Sequence, residues 1–364
     1  MTAAFSSAGR GAALPVAATV VFVIGLALVL ATGASAGTLG YDFEAYAQAA
    51  QRLLEGRSLY DPTVDLAGGF AIFLYPPPFA IAFVPFALLG PAAGLGAWTA
   101  LLVGCLVTAV ALMPVSARVR WLVLLLAGLH WPTLYAIRLG QVGPILLLLF
   151  VLGWRWLDRP VPLGGTIALG GLIKVQPGLL VGWAVLVGRW RAAVVATAGA
   201  AVVALVTLPL VGIDAWLDYR DLLGRVVEPV TTPHNFTPGA IAYQAGASVD
   251  LANLVQWLVV GLVVVAAVFA ARRRSVVVGY LVAVVATQLV SPLLWDHYAV
   301  VLLAPVAWLL ARGSGWAIAI PLAMAWPLVG ITPGVVYPVT FVVAIIPMIR
   351  QRAATRSTLQ EASR

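Results

Sequence analysis

Apolar residues run along this chain in long stretches, without the strict alternation of a half-buried strand or the narrow stripe of a soluble helix. Several stretches exceed the ~18 uncharged residues that mark a membrane-spanning helix. Candidate segments lie near 15–36, 74–90, 94–114, 121–137, 142–157, 161–188, 192–212, 252–271, 275–291, 297–311, 315–331 and 334–350. They predict an all-α polytopic membrane protein, a bundle of about 10–13 transmembrane helices, some of them broken. The first segment, Pro15 to Ala36, is read as a retained helix, although Ala34-Ser35-Ala36 also fits a signal-cleavage site. No soluble domain or internal repeat interrupts the pattern, so 1–364 reads as a single integral-membrane domain.

Two sizeable hydrophilic loops remain, 37–73 and 213–251. Residues 43–55 bring Phe43, Tyr46, Ala50, Leu53 and Leu54 near one helical face, and 214–227 do the same with Trp216, Leu217, Leu222, Leu223 and Val226. Both are predicted to be amphipathic helices lying on the membrane surface. Two apolar segments carry breaks. Tyr75-Pro76-Pro77-Pro78 cannot sit within a regular helix, and Lys174-Val175-Gln176-Pro177 divides the segment 161–188. Irregular backbone at membrane depth needs protein or water around it. Both breaks are therefore expected in the wall of a polar cavity open to the outer side.

Composition sharpens this picture. The chain is 62% hydrophobic and 9% charged, against about a quarter charged in soluble domains, which excludes soluble enzyme folds. The net charge of +8 comes from twenty arginines and a single lysine, Lys174. No basic run forms a soluble patch, so nucleic acid is not an expected partner. With both termini in the cytoplasm, fifteen of the twenty arginines, Arg272 to Arg274 among them, fall on the cytoplasmic side, as the positive-inside rule requires. Eleven of the thirteen carboxylates fall outside. Acids contribute little to orientation, so their clustering marks the outer face as the working one. The lone Cys105 has no intramolecular disulfide partner.

Few polar residues are left to carry chemistry. Asp42, in Gly40-Tyr41-Asp42-Phe43-Glu44-Ala45-Tyr46, follows the first helix. A carboxylate there can act as general base on the hydroxyl of a lipid substrate, or it can cap the helix 43–55. Lys174 interrupts an apolar segment, where an ionisable group is a functional signal whose natural partner is a phosphate; the alternative is a lysine snorkelling to the interface. His297, in Ser291-Pro292-Leu293-Leu294-Trp295-Asp296-His297-Tyr298, either donates to a phosphate or sugar hydroxyl or belongs to an interfacial aromatic belt. Arg138-Leu139-Gly140-Gln141 offers a guanidinium for phosphate and an amide for a sugar hydroxyl, or is a plain turn. His234 and Asn235 of the second loop are candidates for shaping an acceptor site. His130, beside Trp131, reads as structural. The three histidines and one cysteine are scattered, so no metal site and no cofactor is expected.

In this order, Asp42-Phe43-Glu44-Ala45-Tyr46 with Gly56-Arg57-Ser58-Leu59-Tyr60-Asp61, Tyr75-Pro76-Pro77-Pro78-Phe79, Arg138-Leu139-Gly140-Gln141, Lys174-Val175-Gln176-Pro177 and Ser291-Pro292 with Trp295-Asp296-His297-Tyr298 form a series. It resembles the integral-membrane glycosyltransferases of the GT-C architecture, in particular glycosyltransferase family 87. The resemblance implies a GT-C-like bundle and transfer of a sugar, mannose ahead of arabinofuranose, from a polyprenyl phosphate donor. The acceptor would be a lipid-linked or glycan hydroxyl on the extracytoplasmic face of the cell membrane. It implies Asp42 as the essential carboxylate, the catalytic residue. Lys174, His297, Arg138, Gln141 and Tyr75 become donor-site candidates, and Glu44, Tyr46, His234 and Asn235 acceptor-side ones. Gly143 stands where the family pattern has Asn. A lipid or solute transporter is the competing reading, because broken helices and an intramembrane lysine also suit transporters.

Overall fold

The computed structural model describes residues 2–60, 72–225, 229–232, 234–325 and 334–350, with side chains described from residue 13 onward. Local chemistry sets most helix starts. Proline occupies the first turn of α3 (Pro77–Leu88), α4 (Pro91–Leu112), α6 (Trp131–Leu139), α7 (Gly143–Arg155) and α8 (Pro160–Ile173). There its missing N–H is no loss. Ser116, Ser248 and Ser275 cap α5 (Ala117–Ala127), α13 (Val249–Arg273) and α14 (Val276–Leu289), each accepting from a first-turn N–H.

Four helices are long and apolar enough to cross a membrane individually: α1 (Thr2–Ser35) over residues 13–35, α4, α11 (Trp190–Arg225) and α13. A fifth span is the pair α5 and α6, bent by 65°. The remaining apolar helices are shorter, 10–17 residues. The described residues thus hold fewer full-length spans than the dozen apolar segments in the sequence. Length sorts with position. α11 and α13 leave Leu205, Val206, Leu262 and Val265 exposed, as lipid-facing helices do. By contrast, α14 is buried at every residue from Val278 to Leu289, and α15 (Leu303–Ala311) from Leu303 to Leu309.

The segment expected as one helix over 121–137 is instead broken between Ala127 and Trp131. Gly128 lies against the backbone of Phe22 in α1, where an added Cβ would come within 2.6 Å of the Phe22 Cα. Close approach of α1 and the Pro132 that opens α6 explain the bend. The predicted break at Lys174 is present. Lys174 is extended (φ −148°, ψ 134°) between α8 and the single turn α9 (Val175–Gly178), followed by α10 (Leu180–Leu186). Gly170 and Gly171 let Pro177 and Gly178 fold back against α8.

Both amphipathic helices form. The first is α2 (Tyr41–Leu54). The second is the end of α11, beyond a kink at Gly212, whose φ of 77° suits glycine. The segment that follows α2 lies against the second: Ser58 Oγ is 3.0 Å from Asp218 Oδ2, and the Tyr60 and Tyr219 rings stack at 5.7 Å. Asp61 and Asp65 fall outside the described residues.

Candidate active site

The start of α2 is pinned by backbone. Gly40, at φ 76°, precedes the helix, and its N–H donates to the Arg138 carbonyl at 2.8 Å. Asp42 is therefore not the helix cap. It occupies the second helical position, and its Oδ2 accepts from Gln141 Nε2 at 2.9 Å. Gln141 follows Gly140, whose φ of 76° ends α6 and turns the chain into α7.

Gln141 is buried and holds a network together. Its Oε1 accepts from the Tyr75 hydroxyl at 2.7 Å and the Val142 N–H at 2.8 Å, with the Tyr46 hydroxyl oxygen 3.1 Å away. Two donors fill the lone pairs of that oxygen and fix the amide so that its N–H points at Asp42. The Tyr46 hydroxyl is also 2.7 Å from that of Tyr75, which completes a chain Tyr46–Tyr75–Gln141–Asp42. Tyr46 lies four residues after Asp42 and so on the same helical face. Glu44, two residues on, points away, is exposed and bonds Gln48 at 3.1 Å.

Lys174 and His297 meet in one small cavity, lined also by Gln141, Gly143, Gln288, Tyr298 and Val300. It has room for about one water molecule. Lys174 is buried, its Nζ 3.6 Å from the centre of the Tyr298 ring and 5.9 Å from that of Tyr75. Among the described residues Nζ has no hydrogen-bond or ion-pair partner. A desolvated cation–π contact contributes ~2 kcal/mol, whereas removing an ammonium from water costs several. The ring alone does not compensate. His297 is 4% exposed, and neither ring nitrogen has a hydrogen-bond partner. Its Nδ1 is 3.6 Å from Asp296 Oδ1. Unsatisfied buried groups cost about 1–3 kcal/mol each, so the cavity presents donors that an anion would satisfy.

Asp42 feels both groups. It sits on α2, outside the candidate spans. Burial pushes its carboxyl above the usual carboxylate range; the charges of His297 and Lys174 and the Gln141 amide pull down without cancelling this.

The other sequence candidates are dispersed. Arg138 does not line the cavity; its Nε and Nη2 donate to Thr38 Oγ1. His234 is exposed, with φ 57°. Asn235 is buried and ties two loops: Oδ1 accepts from the N–H groups of Thr237 (3.1 Å) and Leu294 (3.0 Å), and Nδ2 donates to the Pro292 carbonyl at 3.1 Å. His130 Nδ1 pairs with Thr133 Oγ1 at 2.8 Å in the core. At Gly143 an added Cβ would meet Val300 Cγ1 at 2.9 Å, so Val300 fills the space beside it. Two further residues belong to the site: Tyr298, the ring under Lys174, and Gln176, whose Nε2 bonds Ser291 Oγ at 3.1 Å and links two of the motifs. Their only signal was adjacency to Lys174 and His297. Among the described residues no group of three or more His, Cys, Asp or Glu could hold a metal ion.

The motifs, spread over 255 positions from Asp42 to His297, thus converge on one carboxylate and one cavity. The family model for glycosyltransferase family 87 matches residues 73–294, more than half of the chain. The chain belongs to glycosyltransferase family 87. It is a membrane glycosyltransferase. The matched stretch contains Tyr75, Arg138, Gln141 and Lys174; His297 lies three residues past its end, and Asp42 lies 31 residues before its start. A curated relative from Mycobacterium tuberculosis, a polyprenol-phosphate-mannose-dependent alpha-(1-2)-phosphatidylinositol mannoside mannosyltransferase, is 28% identical over 298 residues, covering 73% of this chain and 69% of the relative. No solved structure matches significantly.

Proposed function

We propose that this glycosyltransferase moves a sugar, mannose ahead of arabinofuranose, from a polyprenyl phosphate to a hydroxyl of a lipid-linked or glycan acceptor, by metal-independent inverting displacement. The reading takes the whole chain as a single domain in the cell membrane, with both termini cytoplasmic and Asp42 on the extracytoplasmic side. The observation that carries it is the Asp42 carboxylate, aimed by Gln141 and within the electrostatic reach of two buried cavity groups, Lys174 and a His297 whose ring nitrogens have no hydrogen-bond partner.

In this reaction the acceptor oxygen attacks the anomeric carbon while its proton passes to Asp42. The bond from the anomeric carbon to the phosphate oxygen breaks through an oxocarbenium-like transition state. Its electron pair leaves with the polyprenyl phosphate. That leaving group is already an anion, so it needs donors and positive charge rather than a general acid; Lys174 and His297 supply them. A single displacement inverts the donor sugar. The cavity must widen to take a sugar phosphate, and the masking of Lys174 by the Tyr298 ring is the contact to be exchanged.

The test offers the purified protein polyprenyl-phosphate mannose and, in parallel, polyprenyl-phosphate arabinofuranose. Asp42→Asn is expected to abolish transfer with donor affinity retained, and Lys174→Met to weaken donor binding ten-fold or more. Near-normal turnover by Asp42→Asn, or unchanged donor affinity in Lys174→Met, overturns the reading.

A further inference from the structure

Helix α6 carries three large side chains that play no part in the cavity. Trp131, Tyr135 and Arg138 follow one another at four- and three-residue steps, which puts them on one helical face. The two rings stack, with centroids 4.8 Å apart and planes at 17°, and the Arg138 guanidinium lies 5.8 Å from the Tyr135 ring centre. All three are partly exposed. Each end of this ladder is tied down. Trp131 Nε1 donates to Asp296 Oδ2 at 3.2 Å, and Arg138 donates to Thr38 Oγ1. None of the three lines the cavity that holds Lys174 and His297.

A ladder of this kind is more than an interfacial aromatic belt. A belt tryptophan turns its N–H to the headgroup water, whereas this one is spent on a carboxylate that is itself 9% exposed. The second Asp296 oxygen accepts from the His297 N–H at 2.8 Å, so the carboxylate links the ladder to the segment carrying His297. Tyr135 lies within electrostatic reach of both Asp42 and Asp296.

We infer that the Trp131–Tyr135 ladder, with Arg138 at one end and Asp296 at the other, binds the saccharide headgroup of the acceptor. A pyranose has an apolar C–H face that packs on a flat aromatic ring, and a rim of hydroxyls that a carboxylate and a guanidinium bond. The ring face here is that of Trp131 turned away from Tyr135, which holds the indole in place by stacking. The sugar bound here is not the donor's. The donor sugar is covalently attached to the phosphate that Lys174 and His297 receive, while the acceptor hydroxyl must reach Asp42 from outside that pocket. The inference rests on the proposed function and assigns its acceptor site.

The test measures mannosyl transfer by the full-length protein, with polyprenyl-phosphate mannose as donor and either octyl α-mannoside or a phosphatidylinositol mannoside as acceptor probe. Donor affinity is measured separately. Tyr135→Ala and Trp131→Ala are expected to raise the acceptor KM at least ten-fold with donor affinity within two-fold of wild type. Tyr135→Phe keeps the ring face and is expected to keep the KM, which separates lost stacking from lost folding. An unchanged acceptor KM in both alanine variants, or a KM in Tyr135→Phe as poor as in Tyr135→Ala, overturns the inference. If the wild type transfers and Lys174→Met loses donor affinity, such a failure leaves the proposed function standing. Absence of transfer by the wild type to both probes overturns the acceptor assignment together with the mannosyl reading.

Discussion

Gln141 holds the carboxylate of Asp42, the proposed base, and its amide is committed to protein partners. An amide after a glycine turn reads as a sugar contact, yet here Oε1 is filled by the Tyr75 hydroxyl and the Val142 N–H and Nε2 holds Asp42. Replacing it with leucine leaves the Tyr75 hydroxyl and the Val142 N–H without their acceptor, a loss of about 1–3 kcal/mol for each group left unsatisfied. Because the Gln141 bond favours the ionised Asp42, Gln141→Leu raises its pKa further. The proposed base works ionised, so on that proposal the acid limb of kcat/KM against pH is expected above the ordinary carboxylate value of about 3.9 in the wild type, and higher still in Gln141→Leu. A limb that does not move shows that Gln141 leaves Asp42 untouched. The same upward shift carries a stability cost. A carboxyl with a raised folded-state pKa favours the fold while protonated and loses that contribution as pH rises from the unfolded value through the folded one. Asp42→Asn is therefore expected to unfold at a temperature equal to or above wild type at pH 7 while losing transfer; a lower melting temperature contradicts this. Glu44 shows what periodicity alone reveals: two residues from Asp42 it must face elsewhere, while Tyr46 at four residues must share the face. Which partner meets that face lies beyond periodicity, since Gln141 is ninety-nine residues away.

At the scale of elements, glycines and breaks do the positioning. Gly140 ends α6 at φ 76°, and an added Cβ would approach Phe43 Cβ to 2.9 Å and the Phe43 N to 3.2 Å. Its carbonyl accepts from Trp98 Nε1 at 2.6 Å. Gly140→Ala therefore strains the turn by about 1–3 kcal/mol and pushes α2 away from Gln141. The expected result is a lower melting temperature and a kcat reduced ten-fold or more, with donor affinity retained; wild-type kcat in a folded Gly140→Ala protein refutes the role of this contact. The breaks at Tyr75 and Lys174 were legible because proline cannot continue a helix. At the bend between α5 and α6 the single Pro132 is a weaker signal, since one proline is tolerated in the first turn of a helix, and Gly128 marks the bend only through the approach of Phe22 from another helix.

For the whole molecule, the sequence carries an orientation in its charges, and labelling tests it. With Cys105 replaced by alanine, Glu55→Cys is expected to react with an impermeant maleimide from outside intact cells, and Arg273→Cys only after the membrane is opened; the reverse pattern inverts the topology. The sequence by itself determined the class of the protein, because the apolar runs are too long and too poorly charged for any other solvent, and it determined which residues are costly to bury. It also supplied the order of motifs. Tertiary structure alone decided which of the twelve apolar segments stand outermost toward lipid and which are enclosed. It set Lys174, His297 and Tyr298 around one cavity while Arg138, Glu44 and His234 stayed away from it, and it brought Trp131 to Asp296. The reason is physical. Hydropathy is summed along a segment and survives any packing, whereas a contact between residues a hundred or more positions apart depends on how helices bend and approach, which the intervening sequence does not encode locally.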